Sequence, residues 1–195
     1  ILMLTGAAVP VKADDVWEFD AQRFVLKEYT GTETDVVVPD TMDDGVLVKR
    51  LGTQLLAGSE TLTSVAVPDS VTILDVGALS YDDNLSEITL SSNLINIGWS
   101  AISSNDALTE LTIPASVCII DSYAVSGCYA LKKIVFEGAC PLIGPEAFAM
   151  LSDDVVIYVP DDQIEEYKKV FEENNKDLEI QPSGKPAVLH TPDEY

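Results

Sequence analysis

One pattern of apolar residues returns every 23 positions along the chain, and it is clearest in Val65-Ala66-Val67-Pro68-Asp69-Ser70-Val71-Thr72-Ile73-Leu74-Asp75-Val76-Gly77-Ala78-Leu79. Each repeat has one apolar side and nothing of its own to bury it against. Stacking equivalent repeats buries that side, as in a solenoid, whereas a helical bundle has no reason to repeat at 23. Seven apolar columns keep this step, and they begin at Val48, Leu51, Leu55, Leu56, Leu62, Val65 and Val67.

Within one repeat, the local pattern predicts two short strands and a turn. Residues 111–114 alternate in direction and stop at Pro114, as a short strand does. Residues 117–120 predict a second extended piece, and 121–127 predict a single helical or 3₁₀ turn closed by Gly127. Equivalent strands of successive coils then pair in parallel, at a spacing of about 4.8 Å.

These residues resemble the BspA-like leucine-rich repeat. The resemblance is carried by Val65-x-Val67-Pro68-x-Ser70-Val71-x-x-Leu74-x-x-x-Ala78-Leu79, with Ser126-Gly127-Cys128 and Leu131 closing a later unit. It implies an α/β repeat fold, a right-handed leucine-rich-repeat solenoid of about five 23-residue coils with short parallel strands and single helical turns. It also implies surface adhesion or host interaction, as in bacterial proteins of this family. Ser91 in place of the usual proline and Trp99 in a turn are departures that affect local loop shape.

The flanking segments predict the domain organisation. Residues 1–13 are similar to the end of a secretory signal peptide cleaved after Ala13, with an ordinary apolar strand as the alternative. Residues 14–35 are an N-terminal cap made of strand segments, 36–159 the solenoid, 160–181 a C-terminal cap helix and strand, and 182–195 a tail or linker. We expect a secreted or cell-surface protein of a bacterium, because residues 1–13 are similar to a signal peptide and the family that the repeats resemble is a bacterial surface family. No later stretch approaches the ~20 apolar residues of a membrane span.

In the C-terminal cap, Asp162-x-x-Glu165 predicts a capping box that opens the helix. Ile164, Tyr167 and Phe171 then share one face, which is expected to close the last coil.

The charge balance excludes one class of partner. Lys and Arg total 11 against 33 Asp and Glu, which gives a net charge of −22. A nucleic acid or an anionic lipid surface would be repelled by this field. The acidity serves solubility, or it serves the capture of a basic partner or of calcium.

No catalytic set is evident in the sequence. The single histidine, His190, lies in the predicted tail, and the pairs Asp82-Asp83, Asp153-Asp154 and Asp161-Asp162 fall at turns and a helix start, where Asp is favoured. The sequence therefore predicts a protein that is not an enzyme and has no cofactor or metal. Three free thiols are expected, with Cys128 and Cys140 facing inward and Cys118 outward.

Two surfaces are candidates for binding. The outward positions of the main predicted strands include Glu87, Thr89, Glu110 and Thr112, in a stretch from 51 to 131 that has no Lys or Arg and is expected to be uniformly negative. Any solvated sheet face also favours such residues. The second candidate is an apolar column, expected to be exposed, that contains Ile73, Ile119 and Leu142, together with Trp99 beside Tyr123.

The leading hypothesis is a module that binds a protein, or in second place a glycan. A partner of the acidic face would offer a basic or hydroxyl-rich surface. The alternatives are a structural spacer in a larger surface protein, which would leave the exposed apolar columns without a partner, and an enzyme, which would need a concave pocket with perturbed polar groups.

Overall fold

The computed structural model describes residues 16–42, 45–174 and 178–188, which form a β-solenoid of short, mostly parallel strands. The predicted signal-peptide remnant, residues 1–13, and His190 lie outside the described residues. The elements are β1 Trp17–Asp20, β2 Val25–Tyr29, β3 Asp35–Val37, β4 Thr41–Met42, β5 Val46–Leu47, β6 Arg50–Leu51, β7 Ser64–Ala66, β8 Ile73–Leu74, β9 Glu87–Thr89, β10 Asn96–Ile97, β11 Glu110–Ile113, β12 Ile119–Ile120, β13 Lys133–Phe136, β14 Leu142–Ile143, β15 Val156–Val159, α1 Ile164–Asn174 and β16 Glu179–Pro182.

The internal coils each contribute one strand to each of two ladders. The main ladder consists of the sheets β3-β7-β9 and β11-β13-β15-β16, and the second ladder consists of β2-β6-β8-β10-β12-β14 with β1 at its edge. In the main ladder Ile134 pairs with Ile157, and Ile157 pairs with Ile180, so the 23-residue step continues through the C-terminal cap. The solenoid therefore has about seven turns, and the expected number of about five coils was too low.

The turns that join the two ladders form a third series of contacts between coils. Backbone hydrogen bonds run from Leu56 N to Ala78 O (3.0 Å) and from Leu79 N to Ala101 O (2.8 Å), and they continue coil by coil. In the predicted helical turns the N–H of one residue donates to the carbonyl three positions earlier, as Leu55 N does to Gly52 O. The same turns contain residues with a positive φ, in the left-handed region of backbone conformation. These lie at two fixed repeat positions, one occupied by Gln54, Gly77, Ser100, Tyr123 and Glu146 and the other by Gly58, Tyr81, Ser104, Gly127 and Met150.

The core is the stack of predicted apolar columns. Leu51, Leu74, Ile97 and Ile120 are completely buried, one above the other along the second ladder. The column of Leu62, Leu85, Leu108 and Leu131 is also buried. Since every internal coil covers the apolar side of its neighbours on both sides, burial continues through the array.

Both ends of the solenoid are covered. At the N-terminus β1 pairs antiparallel with β2, and the rings of Trp17 and Tyr29 lie 4.3 Å apart between centroids. At the C-terminus Tyr167 and Phe171 of α1 are buried against Phe136, which confirms the predicted apolar face. The antiparallel hairpin β4-β5 lengthens the first coil, so its step to the next strand exceeds 23.

The start of α1 differs from the predicted capping box. The first helical hydrogen bond runs from Tyr167 N to the carbonyl of Gln163 (3.1 Å), so Gln163 occupies the capping position. Asp162 Oδ1 instead accepts a hydrogen bond from Ala187 N (2.8 Å). Ala187 belongs to the segment that was predicted to be a tail, and the carboxylate is used to hold that segment against the cap.

Candidate binding surfaces

The outward face of the main ladder is polar and regular. Glu87, Thr89, Glu110 and Thr112 are all exposed, as the alternation of the strands predicted, while Ile88 and Leu111 between them are buried. The parallel register places Glu87 beside Ser64 in one sheet and Glu110 beside Lys133 in the other. The face therefore presents equivalent side chains of adjacent coils in rows. The binding role of these four residues remains a prediction.

The acidity of this face is less uniform than predicted. Lys133 belongs to the next coil, just beyond the stretch without Lys or Arg, and it pairs in register with Glu110. Its Nζ lies 3.0 Å from Glu110 Oε2. Both groups are well exposed, so the pair is worth no more than ~1 kcal/mol, but it reduces the local negative potential. Glu87 makes no ion pair among the described residues. Its carboxylate is the free charge at the centre of the face.

The N-terminal end of the face carries a carboxylate whose acceptor sites are already used. Asp35 accepts hydrogen bonds from the hydroxyl groups of Ser64 (2.6 Å), Thr34 (3.0 Å) and Thr63 (3.2 Å). These bonds favour the charged form and lower the pKa of the Asp35 carboxyl below its ordinary value. Asp35 therefore carries charge over the whole neutral range but has less capacity to accept further hydrogen bonds from a partner.

The second candidate surface is less exposed than predicted. Ile73 and Ile119 are half-buried, since parallel pairing places each of them beside Asn96. Ile73 and Ile119 are therefore only partly accessible, less than the expected exposure of this column. Leu142 is 74% exposed, because β14 is the last strand of the second ladder.

The predicted aromatic pair is present. Trp99 is 49% and Tyr123 39% exposed, and their rings meet edge to face with centroids 6.1 Å apart. Edge-to-face contact is a favourable geometry for two aromatic rings, so the pair forms an ordered apolar spot. It lies at the turns, away from the outward face of the main ladder.

A row of inward side chains crosses the coils, half-buried at Ser59 and buried from Asp82 onward, and the repeat pattern alone did not reveal its polar members. Asn105 Nδ2 donates to the carbonyls of Leu79 and Ile102 (both 2.9 Å), and its Oδ1 accepts from Asp82 N (3.1 Å). The amide thus satisfies main-chain groups that the turn leaves open. The row occupies one repeat position and consists of Ser59, Asp82, Asn105 and Cys128.

Asp82 is the exception in this row. It was interpreted as one of a pair of turn residues, but its side chain is completely buried, and only Asp83 is exposed. Its Oδ1 accepts from Ser59 N at 2.5 Å, whereas its Oδ2 has no hydrogen-bond partner among the described residues. Burial raises the pKa of this carboxyl to about 7. A carboxyl that faces only main-chain groups and the core is structural and has no access to a substrate.

The cysteines lie as predicted, and all three thiols are free. Cys128 is buried and Cys140 half-buried, whereas Cys118 is exposed. Burial raises the pKa of the Cys128 thiol to about 11 and that of Cys140 to about 12, which leaves both as unreactive thiols at neutral pH.

The described part of the chain contains neither a cluster of metal ligands nor a membrane-spanning helix. No three of its His, Cys, Asp or Glu side chains are grouped so that they could hold a metal ion. Among residues 16–42, 45–174 and 178–188, no helix has the length and apolar composition needed to cross a bilayer.

Comparison with known proteins identifies the repeat. The profile of the family described as BspA type leucine rich repeat region matches six copies over residues 49–177. No curated protein matches the sequence.

Three solved structures are similar to this chain. A leucine-rich repeat protein from Bacteroides capillosus is 33% identical, with 63% of this chain and 93% of that chain covered and a TM-score of 0.53. The pneumococcal vaccine antigen PcpA shares the fold at 16% identity and a TM-score of 0.60, over 93% of this chain and 50% of PcpA. The Treponema (T. pallidum) leucine-rich repeat protein shares it at 19% identity and 0.51, over 86% of this chain and 99% of that one. The repeat match and the stacked coils together show that the chain belongs to the BspA-type leucine-rich repeat family.

Proposed function

We propose that this chain is a secreted or cell-surface binding module of a bacterium, and that it binds another protein through the outward face of the main ladder. A glycan is the second candidate ligand. The observation that carries the proposal is the row of exposed Glu87, Thr89, Glu110 and Thr112 on rigid, stacked strands. The paired strands fix the backbone positions of these residues before binding, which lowers the entropic cost of association.

The chemistry of this face selects the partner. Glu87 offers an unpaired carboxylate, and Thr89 and Thr112 offer hydroxyl groups that both donate and accept hydrogen bonds. A protein surface with Lys, Arg or hydroxyl side chains complements this set. Charge complementarity of this kind sets association rate and specificity more than it sets affinity.

A binding role is favoured over an enzymatic one by where the perturbed groups lie. Among the described groups with strongly raised pKa values, Asp82, Cys128 and Tyr167 face the buried core, whereas Tyr29 and Cys140 are half-buried. Catalytic groups with perturbed pKa values need access to a substrate in a cleft. The proposed module therefore binds its partner without transforming it.

A binding screen with three forms of the protein tests the proposal. Wild type, Glu87→Lys and Asp106→Lys are applied to immobilised extracellular-matrix proteins and glycans. Asp106 is exposed and lies outside the ladder strands, so its variant makes the same charge change away from the face. We expect Glu87→Lys to lose binding and Asp106→Lys to keep it. Equal loss in both variants would contradict a role for the face, and no ligand for wild type would favour the spacer.

A further inference from the structure

The C-terminal end of the main ladder carries a cavity that the proposed function does not use. It has a volume of about 320 Å³ and lies between strands β13 and β15 and the segment Ser183–Val188 that crosses them. We name this segment the strap. The residues of the cavity that matter here are Lys133, Val135, Tyr158, Pro160, Lys185 and Val188.

The strap is fixed at both ends by hydrogen bonds. Ser183 N donates to Val159 O (2.8 Å), and Val188 N donates to Glu137 O (2.8 Å). Between these points the carboxylates of Asp161 and Asp162 accept from Gly184 N (2.9 Å) and Ala187 N (2.8 Å). The roof of the cavity is therefore built before any ligand arrives, which lowers the ordering cost of binding.

The cavity combines an apolar wall with two lysines, and its lining also includes the exposed residue Glu137. Val135 and Tyr158 are register partners on the outward face of the ladder, and Pro160 and Val188 extend this wall. Lys133 is paired with Glu110, but no ion pair to Lys185 is found in the part of the chain that the structure describes. Lys185 thus brings an unpaired cation to an apolar cavity, in a chain whose net charge is −22. Apolar pockets with a few convergent polar groups are the usual form of a ligand site.

We propose that this cavity binds the carboxylate of an apolar organic acid. The apolar body packs between Val135, Tyr158 and Pro160, and the carboxylate accepts hydrogen bonds from Lys185, with Lys133 as the second cation. A free organic acid and the hydrophobic C-terminal residue of a peptide present the same chemistry. The site lies on the same outward face, where Val135 pairs in register with Thr112, but it does not include Glu87 and Thr89 and does not depend on the proposed function.

The test uses probes that differ only in charge. 3-Phenylpropionate and its uncharged amide are titrated calorimetrically into the full chain, followed by N-acetyl-Ala-Phe as free acid and as amide. We expect both acids to bind saturably and both amides to bind at least about tenfold more weakly, since a hydrogen bond to a charged group contributes about 1.5–3 kcal/mol.

Matched variants locate the site. Lys185→Gln should weaken the acids about tenfold, whereas Lys132→Gln should leave them unchanged, because Lys132 does not line the cavity and is paired with Asp154. Both lysines are exposed, so neither change threatens folding. Saturable binding of the small acid alone assigns a free organic acid, and tighter binding of the dipeptide acid assigns a peptide C-terminus; either result upholds the proposal. Equal affinity for acid and amide, equal loss in Lys132→Gln and Lys185→Gln, or no saturable binding would overturn it.

Discussion

Replacing Asp82 by asparagine should stabilise the protein at neutral and alkaline pH. The carboxyl is completely buried, its Oδ2 has no hydrogen-bond partner in the part of the chain that the structure describes, and burial raises its pKa from 3.8 to about 7. In the next coil Asn105 occupies the same repeat position and uses its amide to donate to two main-chain carbonyls. An amide at position 82 has no charge to bury and can make the equivalent bonds.

The magnitude follows from the pKa of Asp82. A rise of roughly three pKa units corresponds to about 4 kcal/mol between the charged and neutral forms, at 1.36 kcal/mol per unit. Because the folded-state pKa is raised, the stability that the protonated carboxyl supports is fully present below pH 3.8 and is lost as pH rises through about 7. Wild type therefore loses stability through this window, whereas Asp82→Asn lacks this loss. The advantage of the variant should grow by roughly 2–3 kcal/mol between pH 5 and pH 8 and then level off.

Urea denaturation of wild type and Asp82→Asn between pH 5 and pH 9 measures this advantage. Asp83→Asn is the matched control, because it removes the same charge from an exposed neighbour and should change the unfolding free energy by less than ~0.5 kcal/mol throughout. A difference between Asp82→Asn and wild type that stays constant with pH, or a variant less stable than wild type at pH 8, would refute the reasoning.

Three further predictions concern the coils and are checked by chemical denaturation. Leu108→Ala should lower the unfolding free energy by about 2–4 kcal/mol, since it opens a cavity at a buried stacked position. Thr112→Ala on the outward face should change it by no more than ~0.5 kcal/mol, and equal losses in the two variants would refute the inward and outward orientations. Gly98→Ala should cost at least ~1–3 kcal/mol, because a Cβ there would lie 2.5 Å from the Leu74 carbonyl oxygen, and a neutral effect would show that the coils are spaced more widely. Glu146→Gly should stabilise the fold by up to ~1 kcal/mol, because Glu146 is exposed at φ 57°, and a loss of stability would contradict that left-handed conformation.

The sequence predicts the stacked strands well, because the residues of the apolar columns are the ones whose side chains face inward. It predicts the number of coils less well. Around Val156 and Glu179 the strand positions keep the 23-residue step, but the helix α1 replaces the small residues of the turn, so the last repeats lose part of their pattern. The outward direction of Glu87 and Thr112 follows from strand alternation alone.

Features that depend on three-dimensional packing could not be predicted. Gln54 and Glu146 adopt a left-handed conformation without glycine, and the signal is visible only where Gly77 occupies the same repeat position. The buried state of Asp82 depends on how closely the coils approach, and neighbouring Asp83 made the pair resemble an ordinary turn. The cavity beside Lys185 requires the strap to fold back over the ladder, which a polar segment with proline and glycine does not indicate.

The outward face of the main ladder is tested most directly as the binding surface by one titration. The ligand found in the binding screen is titrated against wild type and the Glu87→Lys, Glu110→Lys double variant, at 0.1 M and 1 M salt. If the outward face of the main ladder is the binding surface, wild-type affinity should fall at high salt, because the Debye length shortens from about 10 Å to about 3 Å. The double variant should not bind at either salt concentration. An affinity that is insensitive to salt and survives in the double variant would contradict the account, and it would transfer the binding site to the apolar surface of Leu142, Trp99 and Tyr123.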